Sequence, residues 1–159
     1  MADRREVLLA AVATALGVAS VNWHSEVTTK PAGLNVYRHL GRQADQDSLP
    51  DVTVLYLGED ITPENQGPTD VSERDVRVAV RCRATAAVSE SGDEGLIPTI
   101  QWAEIALLTD YTLGGVAANG KLLRIDQVDT AEHADVYAEA VMQFVFTLHT
   151  KWGDPRQTT

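Results

Sequence analysis

The sequence predicts an α+β fold: a mostly antiparallel sheet with two helices packed on one face. Three observations carry this expectation. Apolar residues recur at helical spacing in two segments, residues 4–18 and 96–110. The segment "DVRVAVRCRATA" (75–86) alternates residue by residue, as a half-buried strand does. Two further β-rich runs near the end, "KLLRIDQVD" and "ADVYAEAVMQFVFTLHTKW", flank the short connection "TAEHAD", so they are expected to pair antiparallel.

The elements follow in order. Asp3 with Glu6 three residues later has the spacing of a capping box. Val7, Leu8, Ala11, Val12, Ala15 and Leu16 form the apolar face of the first helix, and Gly17 is its stop. The run "VLLAAVATALGVASV" superficially resembles a secretory leader. Its flank "MADRRE" is mixed in charge and the run is too short for a membrane span, so a helix with a wide apolar face is expected. In residues 19–42 the turn-like "KPAG" precedes a strand at "LNVYRHL", while residues 19–33, with Trp23 and His24, match no pattern. "DVTVLYL" (51–57) is a strand opened by the breaker Pro50.

The glycines, prolines and acids of "GEDITPENQGPTDVSE" predict an exposed acidic loop over about 58–73. In the next strand Val76, Val78, Val80, Cys82 and Ala84 are expected to face the core, and Arg77, Arg81 and Arg83 the other side. Pro98 fits the first turn of the second helix, whose inward face is expected to hold Ile97, Ile100, Glu104, Leu107 and Leu108, with Ala103 beside them. The long final strand is apolar on both faces and belongs inside the sheet, and a frayed tail is expected at about 153–159. The whole, 1–159, reads as a single domain.

Composition narrows the function. The chain carries 23 acidic and 13 basic side chains, a formal net charge of −10. Non-specific binding to nucleic acid or to an anionic membrane needs clustered Lys and Arg, which this balance disfavours. Between Gln43 and Asp75 lie nine acids and one base, Arg74. The single cysteine, Cys82, excludes an intrachain disulfide and fits a reducing compartment.

No catalytic, cofactor or metal site is predicted. "LLTDYTLGG" (107–115) carries two glycines after a helix, where the dipole end is negative, and no Walker lysine follows. Its glycines are expected to end the helix, with Leu113 folded back on the core. His24, His39, His133 and His149 lack metal-ligand spacing, and Ser89 and Ser91 lack a nucleophile elbow. Cys82 falls on the apolar side of its strand, which predicts an inert buried thiol. Glu59, Asp60 and Glu64 lack EF-hand spacing and read as a solvated acidic loop. The arginine stripe, Arg77, Arg81 and Arg83, has two readings: a solvated face that keeps the sheet soluble, or a surface that pairs with an acidic partner. A second copy of the chain, offering Glu59, Asp60 and Glu64 from its acidic window, is one such partner.

The pieces together resemble a known family, the phage tail terminators (tail completion or minor tail proteins, U-like). The resemblance lies in "LNVYRHLGRQADQDSLPDVTVLYLGED", with Leu49 and Pro50 opening a strand that ends at Glu59. It continues in "RDVRVAVRCRA", in the helix leading to "DYTLGG" with Asp110, Leu113, Gly114 and Gly115, and in the closing strand pair. It covers roughly residues 4–152, through the order and spacing of elements. It implies a non-enzymatic virion protein of the tail or neck, assembled in the host cytoplasm. Such a protein forms a homo-oligomeric ring, typically a hexamer. The ring caps the tail tube, stops polymerisation of the tail tube protein and presents a surface to the head–tail connector protein. DNA passes through the lumen without specific binding, and no membrane or cofactor is involved. The alternatives are another connector, stopper or tube protein of the same particle, or a small cytosolic ligand-binding module or enzyme.

Overall fold

The computed structural model describes residues 2–38, 49–63, 71–85, 93–128 and 138–151. Its element order is α1 (Arg4–Gly17), β1 (Ser20–Trp23), β2 (Glu26–Thr29), β3 (Asn35–Tyr37), β4 (Asp51–Pro63), β5 (Val71–Ala84), α2 (Asp93–Thr109), β6 (Asn119–Val128) and β7 (Ala138–Lys151). The fold is α+β, as expected. Five strands form one sheet in the order β3-β4-β5-β7-β6, and β1 and β2 form a separate hairpin. Every pairing in the large sheet is antiparallel except that of β3 with β4.

One face of the sheet is the core. Val76, Val78, Val80 and Cys82 of β5 and Ala140, Met142, Phe144, Phe146 and Leu148 of β7 are buried, each residue two positions from the next. α1 lies over β3 and β4, and α2 over β5 and β7. Leu8, Val12 and Leu16 of α1 recur every four residues and complete the core from above. Trp102 of α2 is the largest buried side chain, and its indole Nε1 donates to the Leu16 carbonyl at 3.0 Å. That bond occupies an otherwise orphaned carbonyl at the end of α1 and locks the two helices together.

Five expectations need correction. The cap of α1 is Asp3 alone: its carboxylate accepts from the Arg5 amide at 2.8 Å, while Glu6 accepts from Arg38 at 2.7 Å. Of the acidic loop expected over 58–73, the described residues 58–63 and 71–73 are instead sheet. β4 runs on to Pro63 and β5 begins at Val71, with Asp60 opposite Asp75 and Ile61 opposite Arg74. A bulge at Leu57 lets β4 absorb Gly58, whose φ of 127° suits only glycine. Residues 19–33, read as patternless, hold the β1–β2 hairpin, turned by His24 and Ser25 at φ 48° and 69°.

The last two corrections concern α2. It starts at Asp93, which places Pro98 inside the helix rather than in its first turn. Its inward face is Leu96, Thr99, Trp102, Ala103, Ala106 and Leu107, while Ile97 is 58% exposed. Leu107 and Ala103 are buried as expected, while the first turns of the helix present Leu96 and Thr99 inward in place of Ile97. The expected frayed tail (153–159), the "TAEHAD" connection and Glu64 lie outside the described residues.

The "LLTDYTLGG" turn is a closed polar knot. Asp110 accepts from the Thr112 hydroxyl and amide and from the Gly114 amide, at 2.6, 3.0 and 2.7 Å. Leu113 sits at φ 51° and is buried. Gly114 and Gly115 follow in the left-handed region and turn the chain toward β6. The Thr112 hydroxyl above all, then the Gly114 amide, holds the Asp110 carboxyl below the usual carboxylate range. A group with a depressed folded-state pKa stabilises above its unfolded value and loses that contribution as pH falls through the folded one. Asp110→Asn is therefore expected to flatten the loss of stability below about pH 4. Urea midpoints of both proteins along an acid series check it. An unchanged slope would mean that the turn holds without the charge.

Candidate functional site

The sheet face turned away from the helices carries the arginine stripe. Arg77, Arg81 and Arg83 alternate along β5 as expected, over about 20 Å. Their surroundings differ from a solvated stripe. Arg83 is 3% exposed and forms a two-point ion pair with Asp51, which stands opposite it on β4. Nε meets Oδ1 at 2.9 Å and Nη2 meets Oδ2 at 2.6 Å. Both side chains are buried, so the pair is structural. Arg81 faces Glu139 of β7, Nε to Oε1 at 3.9 Å, and its Nε and Nη2 are buried without a hydrogen bond. Arg77 is the exposed member, with Asp60 of β4 at 4.0 Å. Each arginine thus meets an acid of its own chain, from a neighbouring strand.

Glu59 leaves this face altogether. The bulge at Leu57 turns it to the helix side of the sheet, opposite Val76. There its Oε1 lies 2.7 Å from Arg74 Nη1 and 3.6 Å from Arg5 Nη1. Arg74 also donates from Nε to the buried Thr150 hydroxyl at 2.9 Å. Arg5 bridges on to Asp3, whose carboxyl this contact depresses to about 2. The cluster fastens the first turn of α1 to the ends of β4, β5 and β7. The six residues singled out from the sequence therefore split: Arg77, Arg81, Arg83 and Asp60 share one face, Glu59 belongs to the other, and Glu64 is outside the described residues. Asp51 and Glu139, the acids that neutralise the stripe, were missed. Only cross-strand register reveals them.

Between α1 and α2 lies an open, mostly apolar cleft of about 330 Å³ beside Ala11, Ala15, Ala106 and Leu113. Its acid, Asp110, is occupied by the turn. Among the described residues no three His, Cys, Asp or Glu side chains stand close enough to hold a metal ion. No described helix is long and apolar enough to cross a membrane. Burial above all, with a smaller push from Asp51, raises the Cys82 thiol to about 12. Cys82 should therefore resist a thiol-specific reagent in the native protein and react only on unfolding. Labelling followed across a urea series checks this; rapid modification of the native state would refute it.

The edges of the sheet are less settled. β3 covers β4 only at Asp51–Thr53, so no described strand pairs the outer edge of β4 from Val54 to Pro63. Tyr56, Leu57 and Ile61 are exposed there. At the opposite edge β6 pairs, among the described strands, only with β7, and Leu123, Ile125 and Val128 are exposed. Unpaired edges with exposed apolar side chains are uncommon on monomers.

No protein-family model matches the chain, and no curated protein does. Among solved structures it is similar to a chain of the "Virion of native gene transfer agent (GTA) particle", with 13% identity, a TM-score of 0.36, and 91% of each chain covered. A likeness of that size carries no argument about function.

Proposed function

We propose that this protein is a phage tail terminator: a virion component of the tail or neck that assembles into a ring, caps the finished tail tube and offers a surface to the head–tail connector. The order of elements carries the reading. A helix, strands opened at Leu49 and Pro50, a charged alternating strand, a second helix ending in Asp110–Gly115, and a closing antiparallel pair follow the pattern of the resembling family. Two further features support it. Ion pairs within the chain hold the subunit together, and no described strand pairs the outer edges of β6 and of β4 beyond Thr53, which offers surfaces for assembly. Its net charge of −10 suits a lumen through which DNA slides without being gripped. The role is one of assembly and not of catalysis.

The test is mass and capping. Light scattering after size exclusion at high concentration should show a species near the mass of six 17.2 kDa chains. Electron microscopy should show rings that arrest the growth of purified tail tubes. A strictly monomeric protein that leaves tube growth unchanged overturns the proposal. Long filaments of the protein alone would overturn it in favour of a tube subunit.

A further inference from the structure

We infer that copies of this chain join by pairing β6 of one subunit, antiparallel, with the Val54–Pro63 edge of β4 in the next, an edge that no described strand of its own chain pairs. The inference rests on the ring reading above and names the surfaces that would build the ring.

Strand direction comes first. β4, β5, β7 and β6 are linked by three antiparallel pairings, so β6 runs antiparallel to β4 within one subunit. Setting identical subunits side by side therefore continues the alternation without a break. The join is head-to-tail, the kind of contact that builds a ring when the rotation between neighbours closes.

Side-chain chemistry matches on both faces. On the helix side the β4 edge exposes Tyr56 and Ile61, and the β6 edge exposes Ile125 beside half-buried Leu122. On the other side β4 carries exposed Asp60, and β6 carries exposed Lys121, while Arg124 is paired with Asp126 of its own strand at 2.6 Å. Side-by-side addition keeps each face on its own side. With the two bulges level, Tyr56 meets Leu122 and Asp60 comes diagonal to Lys121.

The bulges match as well. β4 bulges at Leu57 and β6 at Leu123, and both adjoin the single row Tyr56–Val78–Phe144–Leu122. Leu57 is 46% and Leu123 48% exposed. A bulge spoils pairing with a regular strand, so an edge interrupted at this level favours a partner interrupted at the same level.

The experiment is oxidative cross-linking in Leu57→Cys and Leu123→Cys, with Cys82 left in place because it is buried. Each single variant should stay monomeric on non-reducing gels. The two variants co-expressed should give a disulfide dimer, and the double variant a ladder. A second arm uses Lys121→Glu, which should raise the concentration needed for assembly several-fold; adding Asp60→Lys should restore it. Circular dichroism verifies folding in every case. Dimers from Leu123→Cys alone would overturn the inference in favour of a twofold join. A ring by mass with no cross-link overturns it and leaves the terminator proposal standing. A ladder from a protein that fails to cap tubes overturns that proposal and leaves the edge pairing standing. A monomer with no cross-link removes both.

Discussion

Asp51→Ala is expected to destabilise the protein by about 3–5 kcal/mol, because it strips the partner from a buried guanidinium. Asp51 is 0% and Arg83 3% exposed, and the two meet through a pair of short, parallel hydrogen bonds. In water each charge would be well solvated. In the sheet each depends on the other, and removal of one leaves the second desolvated and unpaired. The loss is a large fraction of the 5–15 kcal/mol that typically separates a folded domain from its unfolded chain. A double-mutant cycle separates the pair from the penalty of orphaning. Asp51→Val with Arg83→Met replaces both charges by apolar groups and should recover most of what Asp51→Val alone loses. Urea unfolding at neutral pH measures all four corners. A single-mutant cost under 1 kcal/mol would mean that water reaches Arg83 and the pair is dispensable.

Trp102→Ala is expected to cost about 3–5 kcal/mol through the cavity it opens. The side chain is 1% exposed and lies among α1, α2 and the sheet. The substitution also deprives the Leu16 carbonyl of its donor. Trp102→Phe isolates that second effect: most of the ring volume stays, the N–H goes, and the expected loss is about 1–3 kcal/mol. For a chain of this length a change of 4 kcal/mol moves the melting temperature by on the order of 10 °C, so calorimetry resolves the two variants. Equal melting temperatures for Trp102→Phe and the parent would show that water takes over the carbonyl.

These two sites mark where the sequence was legible and where it was not. Periodicity found α1, the alternation of β5 and the β6–β7 pair, because each is a local pattern repeated over ten or more residues. It also placed Leu113 on the core from the helix-ending glycines alone. Trp102 escaped. Ile97 and Ile100 outweighed it in setting the phase of α2, yet Ile97 faces solvent. Asp51 escaped for a different reason: it sits in a run of acids that looks uniformly solvated, and only its cross-strand neighbour Arg83 explains its burial.

The same limit hid the far half of β4. Gly58, Glu59, Asp60 and Pro63 are poor strand formers, but the pairing with β5 overrides their propensity. The hairpin at 20–29 lacked a signal because its turn uses His24 and Ser25 where an Asn-Gly would announce it. Of the site, the arginine alternation was visible and its in-chain neutralisation was not. Non-local pairing decides which charges remain for a partner.

The ladder between β5 and β7 has one more consequence. It is the longest pairing in the sheet, running from Val71 opposite Lys151 to Ala84 opposite Ala138. Its two strands are separated in the chain by α2 and β6. During synthesis β4 and β5 leave the ribosome and can form their hairpin early, but the inner side of β5 then waits for the last strand to emerge. Such long-range closure is slow. Until it happens, Val76, Val78 and Val80 stand on an unfinished sheet, open to any other nascent strand. Crowded expression of many copies at once is therefore the moment at which this protein is most exposed to mispairing, and lower temperature or slower translation should raise its soluble yield.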